Sequence, residues 1–232
     1  MMSESPLCAL VPMRHMSQRV AGKNYRHMAG KPLYRHVVDA LLESGCVARV
    51  AIDTDSDVIA EDVAQSYDGR VCTMERPAHL REPTIPMNEI LMHDVSVLGG
   101  DLFLQTHSTN PLLKPATIAR AVERFRGLLV AGEYDSLFSV TRRQVRIWGA
   151  DGHPLNHDPN VLIQTQDLEP FFEENSCLYL FTAKSLSENG NRIGAAPAMF
   201  EIDPLEAVDI DEEEDFVLAE SLCLSTRTIS KT

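Results

Sequence analysis

The apolar positions of this chain fall into two kinds of segment. Some form short continuous runs of strand length, and others recur at helical spacing, as Leu33, Val37 and Leu41 do before Gly45. The runs predict strands at residues 7–13, 47–52, 71–74, 102–105, 136–140 and 177–181. The periodic segments predict helices that begin near Leu33, Ser56, Asn88, Pro115, Ala183 and Glu212.

This alternation of strands and helices indicates the fold class. A helix between two strands implies a crossover connection, so the sequence predicts an α/β protein with a mostly parallel sheet between two helical layers. Beyond Thr141 the rhythm changes, and residues 142–175 read as an inserted, β-rich excursion. We expect residues 1–232 to form a single domain that includes this excursion.

A loop rich in basic residues follows the first predicted strand. It carries Arg14, Arg19, Lys23, Arg26 and Lys31, with glycines that allow a ligand close to the backbone. Arg forks and Lys point charges together suit a chain of phosphates, although a basic loop is often only a solvated surface. Neither GxxxxGK followed by Ser or Thr nor GxGxxG after the first strand is present, which argues against a P-loop NTPase and a Rossmann dinucleotide site.

Charge and cysteine content narrow the class of partner. The chain has 21 Lys and Arg against 34 Asp and Glu, a formal net charge of -13, so its basic loop is a local exception. Global acidity argues against nucleic acid or an anionic membrane as partner. The sequence shows neither a long apolar span nor a signal peptide, and its five dispersed cysteines read as reduced thiols. We therefore expect a soluble, cytoplasmic protein.

A pair of carboxylates near the C-terminal end of the sequence is the second chemical feature. Asp209 and Asp211 are two apart, and on an extended backbone such residues point to the same side. Hard oxygen ligands beside substrate phosphates suit Mg²⁺, which is the predicted cofactor. The alternative is that Asp211 caps the helix that follows, with Glu214 as its capping-box partner.

Two long motifs resemble the signature of the acylneuraminate cytidylyltransferases, the CMP-sialic acid synthetases. They are residues 14–24, RHMSQRVAGKN, and residues 206–211, EAVDID. Shorter matches lie between them in family order over nearly the whole chain: residues 29–33, 53–55, 76–78, 104–105, 111–112, 166–168, 175 and 178–179. The match at residues 29–33, AGKPL, is shared more broadly among nucleotidyltransferases.

The resemblance implies a fold of the nucleotide-diphospho-sugar transferase type, with an excursion that dimerises and reaches the neighbour's active site. The implied reaction joins CTP and a nonulosonic acid to give a CMP-sugar and pyrophosphate, so the expected partners are CTP, an acidic keto-sugar and a second copy of the chain. Carried over by position, the nucleotide would be held by Arg14, Ser17, Arg19, Lys23, Asn24, Arg76 and Gln105. The sugar would contact Gln105, Gln166 and Tyr179, Mg²⁺ would bind Asp209 and Asp211, and catalysis would rest on Arg14, Lys23 and these two carboxylates.

Departures from the family pattern concern the acceptor more than the nucleotide. The polar loop from Gln105 to Pro111 is longer than usual, Gln164 and Thr165 stand where an Arg is common, and Ser176 stands where Gly is common. These changes predict a nonulosonic or related keto-acid sugar other than N-acetylneuraminate. Two alternatives stay open: a nucleotidyltransferase of the same fold that acts on 3-deoxy-octulosonate or a polyol phosphate, and a nucleotide-binding protein without catalysis.

Overall fold

A computed structural model describes the backbone of residues 5–229 and the side chains of residues 5–225. Residues 1–4 and 230–232 of the expected single domain lie outside the described residues. The strands are β1 (Leu7–Leu10), β2 (His27–Met28), β3 (Lys31–Pro32), β4 (Arg49–Thr54), β5 (Val71–Glu75), β6 (Leu102–Gln105), β7 (Ser136–Arg143), β8 (Phe171–Thr182) and β9 (Pro197–Glu201). The helices are α1 (Leu33–Glu43), α2 (Asp57–Ser66), α3 (Met87–Leu98), α4 (Pro115–Ala131), α5 (Ala183–Asn189) and α6 (Glu213–Ile229), with 3-10 turns at Ala78–Leu80 and Thr165–Asp167.

Seven strands form one sheet in the order β5-β4-β1-β6-β8-β7-β9. Neighbouring strands run parallel except that β8 is antiparallel to both β6 and β7, so the predicted mostly parallel α/β sheet is confirmed. The central strands are β1 and β6, and both end at the same edge. In open α/β sheets ligands bind outside this carboxyl edge.

Two apolar cores cover the two faces of the sheet, because successive residues of a strand point to opposite sides. Leu7 and Ala9 pack with α1, α2 and α4, whereas Cys8 and Leu10 pack with α3 and α5. The near-continuous apolar character of β1 follows from this double coverage. Among the described helices none is both long enough and apolar enough to cross a membrane.

Every strand and helix expected from the apolar pattern is present, with small shifts at the ends. The hairpin of β2 and β3 and the edge strand β9 were not expected. Two-residue strands leave no period to detect, and β9 begins at Pro197, a residue that weakens a strand prediction. Strand β8 begins at Phe171 rather than near residue 177, because it pairs with an equally extended β7 through Arg143.

The excursion is therefore built on a long β7–β8 ribbon. Between the two strands, residues 144–170 form loops with one isolated bridge, Trp148 to Pro154, and the turn at Thr165–Asp167. The β structure of the excursion is thus concentrated in the extensions of β7 and β8. Its apolar side chains include several that remain exposed within the chain.

A β-bulge interrupts the β7–β8 pairing beside the carboxyl edge. The register jumps between Phe138 and Val140, and Ser176 in the bulged strand has a φ of 59°. Residues with a Cβ are strained in this left-handed region by about 1–2 kcal/mol. The position therefore favours glycine.

This strain leads to a stability prediction for Ser176. We expect Ser176→Gly to be more stable than Ser176→Ala by about 0.5–1 kcal/mol. Glycine removes the strain of about 1–2 kcal/mol that alanine keeps, and part of this gain is offset because glycine loses more backbone entropy on folding. Both variants remove the hydroxyl that accepts a hydrogen bond from Tyr179 (3.2 Å), so their difference isolates the backbone effect. Urea unfolding measures it, and equal stability of the two variants would show that the backbone is unstrained.

Candidate functional site

A third apolar cluster joins the basic loop to the beginning of α6. Val20, Met28 and Leu33 pack against Ile210 and Phe216, all of them buried. Ile210 lies between Asp209 and Asp211, so its burial turns the two flanking carboxylates away from the core. The packing of apolar residues thus brings the acidic pair to the basic loop.

The cations and carboxylates meet at hydrogen-bonding distance. Lys23 donates its Nζ to the backbone oxygen of Ile210 (2.6 Å) and lies 4.0 Å from Oδ1 of Asp211. Arg19 pairs with the same carboxylate, with 2.5 Å between its Nη2 and Oδ1. Two sequence motifs almost two hundred residues apart therefore form one charged cluster.

A crevice of about 370 Å³ opens next to this cluster, at the carboxyl edge of the sheet. It takes side chains from the basic loop after β1 and from the polar loop after β6. Among its lining residues are six of the predicted nucleotide contacts together with the β6 loop: Arg14, Ser17, Arg19, Lys23, Asn24, Arg76, His107, Ser108 and Thr109. No ion pair of the described residues involves Arg14, so its guanidinium is available to an anion.

Local contacts hold the basic loop in its shape. Gly22 has a φ of 62°, and a Cβ there would lie 2.8 Å from the Tyr25 ring. Asn24 is buried and uses both ends of its amide: Nδ2 donates to the Arg14 carbonyl (2.9 Å), and Oδ1 accepts from Ser108 (2.8 Å). Asn24 therefore positions Arg14 and links the two loops of the crevice.

His15 is also held by its neighbours. Its Nδ1 lies 2.8 Å from the Ser56 hydroxyl, and its backbone N–H donates to Asp55 (2.7 Å). The ring stacks on Tyr25, with 5.2 Å between centroids. These contacts assign His15 to the support of the loop and explain the Asp and Ser that follow β4.

Two of the five loop cations point away from the crevice. Arg26 pairs with Glu213 (2.7 Å) and lies 4.0 Å from the centre of the Phe216 ring. Lys31 pairs with Asp39 of α1. The sequence pattern alone could not separate these two from Arg14, Arg19 and Lys23, because spacing does not reveal which carboxylates the fold brings near.

A smaller crevice of about 210 Å³ has Asp209 in its wall. Its walls come from the β-bulge and from the segment before α6, and include Thr141, Arg143, Glu173, Glu174, Asn175 and Ser176. Tyr179 is buried behind it, with its hydroxyl bound to Glu174 and Ser176. Asp209 thus lines the smaller space, and Thr109, which hydrogen-bonds its carboxylate, lines the larger, cation-rich one.

The remaining predicted residues differ in how close they lie to these spaces. Gln105 is fully buried at the end of β6, beneath the loop that lines the larger crevice. Gln166 is exposed on the excursion, where its carbonyl accepts from Gln144 (2.7 Å), and it lines neither crevice. Within this chain, Gln166 is therefore separate from the other predicted contacts.

Desolvation and neighbouring charges act in opposite directions on the pKa values of the cluster. Burial lowers the pKa of Lys23, while Asp209 and Asp211 act in the opposite direction. Desolvation raises the pKa of Asp209, Asp211 raises it further, and a hydrogen bond from Thr109 opposes the shift. Thr109 is a site residue that the motifs did not single out, and it also accepts the Ile210 N–H at its carbonyl (3.0 Å).

The donor set of Asp209 and Asp211 fits a hard divalent cation. Both carboxylates face away from the apolar cluster beside a crevice large enough for phosphates, and Mg²⁺ prefers such oxygens. The alternative role of Asp211 was to cap α6. In the structure Asp215 accepts the backbone N–H groups at the start of this helix, those of Asp211 (3.1 Å) and Glu212 (2.8 Å). The start of α6 is therefore stabilised by Asp215, while the Asp211 carboxylate is paired with Arg19 at the crevice.

Beneath the larger crevice lies a buried ionic group. Arg76 is 2% exposed and pairs through Nε with Asp53, whose other carboxylate oxygen has no partner among the described residues. Burial, followed by the nearby Asp53, raises the pKa of Asp94 to about 8. Asp53, His93 and Asp94 have ligand atoms within 4.8 Å of one another, but Arg76 already supplies the positive charge there.

A pH dependence of stability follows for Asp94. Its pKa is 3.8 in the reference state and about 8 in the fold, so between these values the native state holds a proton that the unfolded state has released. Stability from this group therefore falls as pH rises across that window. We expect Asp94→Asn to remove this slope, so that its stability gain over the unmodified protein grows from about pH 5 to about pH 8 in urea unfolding. A constant difference would contradict the shift.

A layered sheet with a cationic crevice at its carboxyl edge, beside two carboxylates, defines an α/β enzyme that transfers nucleotides. Residues 8–228 match the family described as Cytidylyltransferase. The chain belongs to that family.

Relatives with assigned activities cover most of the chain. The CMP-N,N'-diacetyllegionaminic acid synthase of Legionella pneumophila is 29% identical over 93% of this chain and 95% of its own length. N-acylneuraminate cytidylyltransferase A of Danio rerio is 30% identical over 94% of this chain, which spans about half (51%) of that longer protein. A solved structure described as CMP:2-keto-3-deoxy-manno-octonic acid synthetase complexed with CTP has a TM-score of 0.70 at 14% identity, covers 96% of this chain and 100% of its own, and shows the same fold.

Proposed function

We propose that this protein transfers CMP from CTP to the anomeric hydroxyl of a nonulosonic or related keto-acid sugar and releases pyrophosphate. The observation that carries this proposal is the meeting of Lys23 and Arg19 with Asp211 at the mouth of the larger crevice. A triphosphate needs such cations, and its transfer needs carboxylates that can hold a counter-ion. The full-length relative from Legionella pneumophila, described as a CMP-N,N'-diacetyllegionaminic acid synthase, supports an acidic nine-carbon acceptor.

The reaction follows from where charge develops. The anomeric oxygen forms a bond to the α-phosphorus while the bond from this phosphorus to the pyrophosphate oxygen breaks in line, and the hydroxyl proton is released. Arg14, Arg19 and Lys23 stabilise the negative charge that spreads over the phosphate oxygens. Because these cations are held by the loop before the reaction begins, little reorganisation is needed.

Asp209 and Asp211 are proposed to hold Mg²⁺. Once bound, the ion would supply positive charge to the triphosphate and acidity to a coordinated hydroxyl. Asp209 lines the smaller crevice, and Thr109, which hydrogen-bonds its carboxylate, lines the larger one, so this carboxylate is suited to the junction of nucleotide and sugar. Thr109 keeps that carboxylate oriented and favours its charged form.

Pyrophosphate release tests the proposed activity. The purified chain is incubated with CTP, Mg²⁺ and, one at a time, N,N'-diacetyllegionaminic acid, N-acetylneuraminic acid, 3-deoxy-octulosonic acid and a polyol phosphate. We expect release with a nonulosonic acid and a CMP-sugar as the second product. Release only with 3-deoxy-octulosonic acid or with the polyol phosphate would move the protein to another acceptor class, and binding of CTP without release would identify a nucleotide-binding protein.

We also propose that the excursion makes a homodimer. The excursion carries several exposed apolar side chains close together in sequence: Trp148 52%, Leu155 63%, Val161 56% and Leu162 90%. Such exposure is typical of a surface that another protein covers. A second copy seated there would also explain why Gln166 lies apart from the crevices of its own chain.

Light scattering measures the oligomeric state. We expect a dimer for the unmodified chain and a monomer for Leu162→Lys, whereas Val130→Lys, which changes another exposed apolar residue on α4, stays dimeric. A monomer at all concentrations would contradict the proposal.

A single cytoplasmic domain is the remaining part of the proposal. The seven-stranded sheet draws its strands from Leu7 to Glu201, which supports one folding unit. The five cysteines are free thiols, as suits a reducing compartment. Cooperative unfolding in one transition would support the single domain. Recovery in the soluble fraction of fractionated cells would support the cytoplasmic location.

A further inference from the structure

An arginine outside every sequence motif faces the end of β6. Arg192 lies in the connection between α5 and β9, with its guanidinium 3.6 Å from the centre of the Tyr179 ring. Its Nη1 donates to Oε1 of Gln105 (2.6 Å). Both contacts lie near the carboxyl edge of the sheet, where the β6 loop enters the larger crevice.

The charge of Arg192 has no close carboxylate. The fully buried Arg76 is paired with Asp53, but no ion pair of the described residues includes Arg192. Glu174 acts on it only at longer range. A desolvated guanidinium without a counter-ion is costly, so an anion from outside the chain would stabilise it.

The backbone around Arg192 is fixed before any ligand arrives. Its N–H donates to the Asn88 side chain of α3 (3.3 Å), and the next carbonyl, that of Ile193, accepts from Ser136. Ile193 packs in the core on the α3 and α5 face. A planar fork held in this way loses little freedom when it binds a carboxylate.

Two further polar atoms beside Arg192 lack partners in the described part of the chain. They are Nε2 of Gln105, whose residue is fully buried, and Nε2 of His107, which lines the larger crevice. Burial, with Arg192 and Lys23 nearby, lowers the pKa of His107 to about 4. His107 is therefore neutral near pH 7 and can present an N–H. Buried polar groups are normally hydrogen-bonded, so these orphan atoms also point to a ligand.

We infer that Arg192, supported by Gln105 and His107, binds the carboxylate of the sugar acceptor and so selects acidic acceptors. This inference rests on the proposed function. CTP phosphates are the other possible source of anionic oxygens, but the cations suited to them stand on the β1 loop. Arg192 instead rests on Tyr179, whose hydroxyl contacts Glu174 and Ser176 of the smaller crevice beside Asp209.

Two Arg192 variants and a matched control test the inference. Arg192→Gln removes the charge, and Arg192→Lys keeps the charge without the fork. Arg70→Gln removes an exposed arginine that precedes β5, at the opposite edge of the sheet. Kinetics are compared for the most active acid sugar of the panel and for its C1 carboxamide, and binding of each acid sugar is measured by calorimetry in the presence of CMP.

We expect Arg192→Gln to lower kcat/KM for the acid about 10- to 100-fold, with little effect on the carboxamide or on the KM for CTP. The kcat/KM of Arg192→Lys for the acid should lie between those of Arg192→Gln and the unmodified enzyme. The kcat/KM of Arg70→Gln should equal that of the unmodified enzyme. An equal loss on acid and carboxamide, or a loss expressed in the KM for CTP, would overturn the inference while the proposed function stands.

Calorimetry separates this inference from the transfer reaction. If no acid sugar gives pyrophosphate, the proposed function fails, and Arg192 is then judged by binding alone. Binding of an acid sugar that weakens about tenfold or more in Arg192→Gln would support its role as a carboxylate anchor. Absence of any such binding, or binding that is unchanged in the variant, would overturn it.

Discussion

Replacing Lys23 by methionine is expected to lower kcat/KM for CTP by about 100- to 1,000-fold, the range found when one preorganised donor to a developing charge is removed. The ammonium group lines the larger crevice and is held by the Ile210 carbonyl at 2.6 Å. Methionine keeps most of the length and the apolar stem of lysine, so the fold should be retained. Steady-state kinetics at varied CTP, together with thermal unfolding, measure both effects.

Lys31 offers a matched control within the same basic loop. It pairs with Asp39 of α1 and points away from the crevice. Lys31→Met should therefore keep kcat/KM for CTP within about twofold, because a surface ion pair of this kind contributes little. If both variants lost activity equally, the loop would act through general charge, and the geometry of the crevice would not matter.

The second large effect is expected at Asp211. Asp211→Asn should lower turnover at least about 100-fold at saturating Mg²⁺, because a metal-holding carboxylate contributes several kcal/mol to transition-state stabilisation. The half-exposed carboxylate is paired with Arg19, and Asp215 accepts the N–H groups at the start of α6, so the free energy of unfolding should change little. Turnover should also require a higher Mg²⁺ concentration, and removal of divalent ions with EDTA should stop the unmodified enzyme.

Two neighbouring carboxylates distinguish the metal interpretation from a helix cap. Asp215 accepts the N–H groups of Asp211 and Glu212, so Asp215→Ala should lose about 1 kcal/mol of stability and keep most of its turnover. Glu214 is exposed, and Glu214→Gln should resemble the unmodified protein in both measurements. The metal interpretation would be falsified if Asp211→Asn lost stability and kept full turnover.

The fold was largely predictable because its signals are local. Strand runs such as β6 and helical spacing such as that of α1 follow from which side chains the sheet must bury. Most of the larger crevice was also predictable, since the loops after β1 and β6 must meet at one edge of a parallel sheet. Arg192 was not predicted because its neighbours in sequence form no chemical motif. Asp94 was not predicted because, in the sequence, a buried acid in a helix looks the same as an exposed polar residue.

What the sequence determined by itself was the order of strands and helices, the basic loop and the spacing of Asp209 and Asp211, because each depends on residues close together along the chain. Only the tertiary structure decided which charges meet. Burial of Ile210 and Phe216 against Val20 and Leu33 places the acids beside Lys23, while Glu213 and Asp39 draw Arg26 and Lys31 away. Coulombic pairing falls off with distance and with solvent exposure, and those two quantities exist only once the chain has folded.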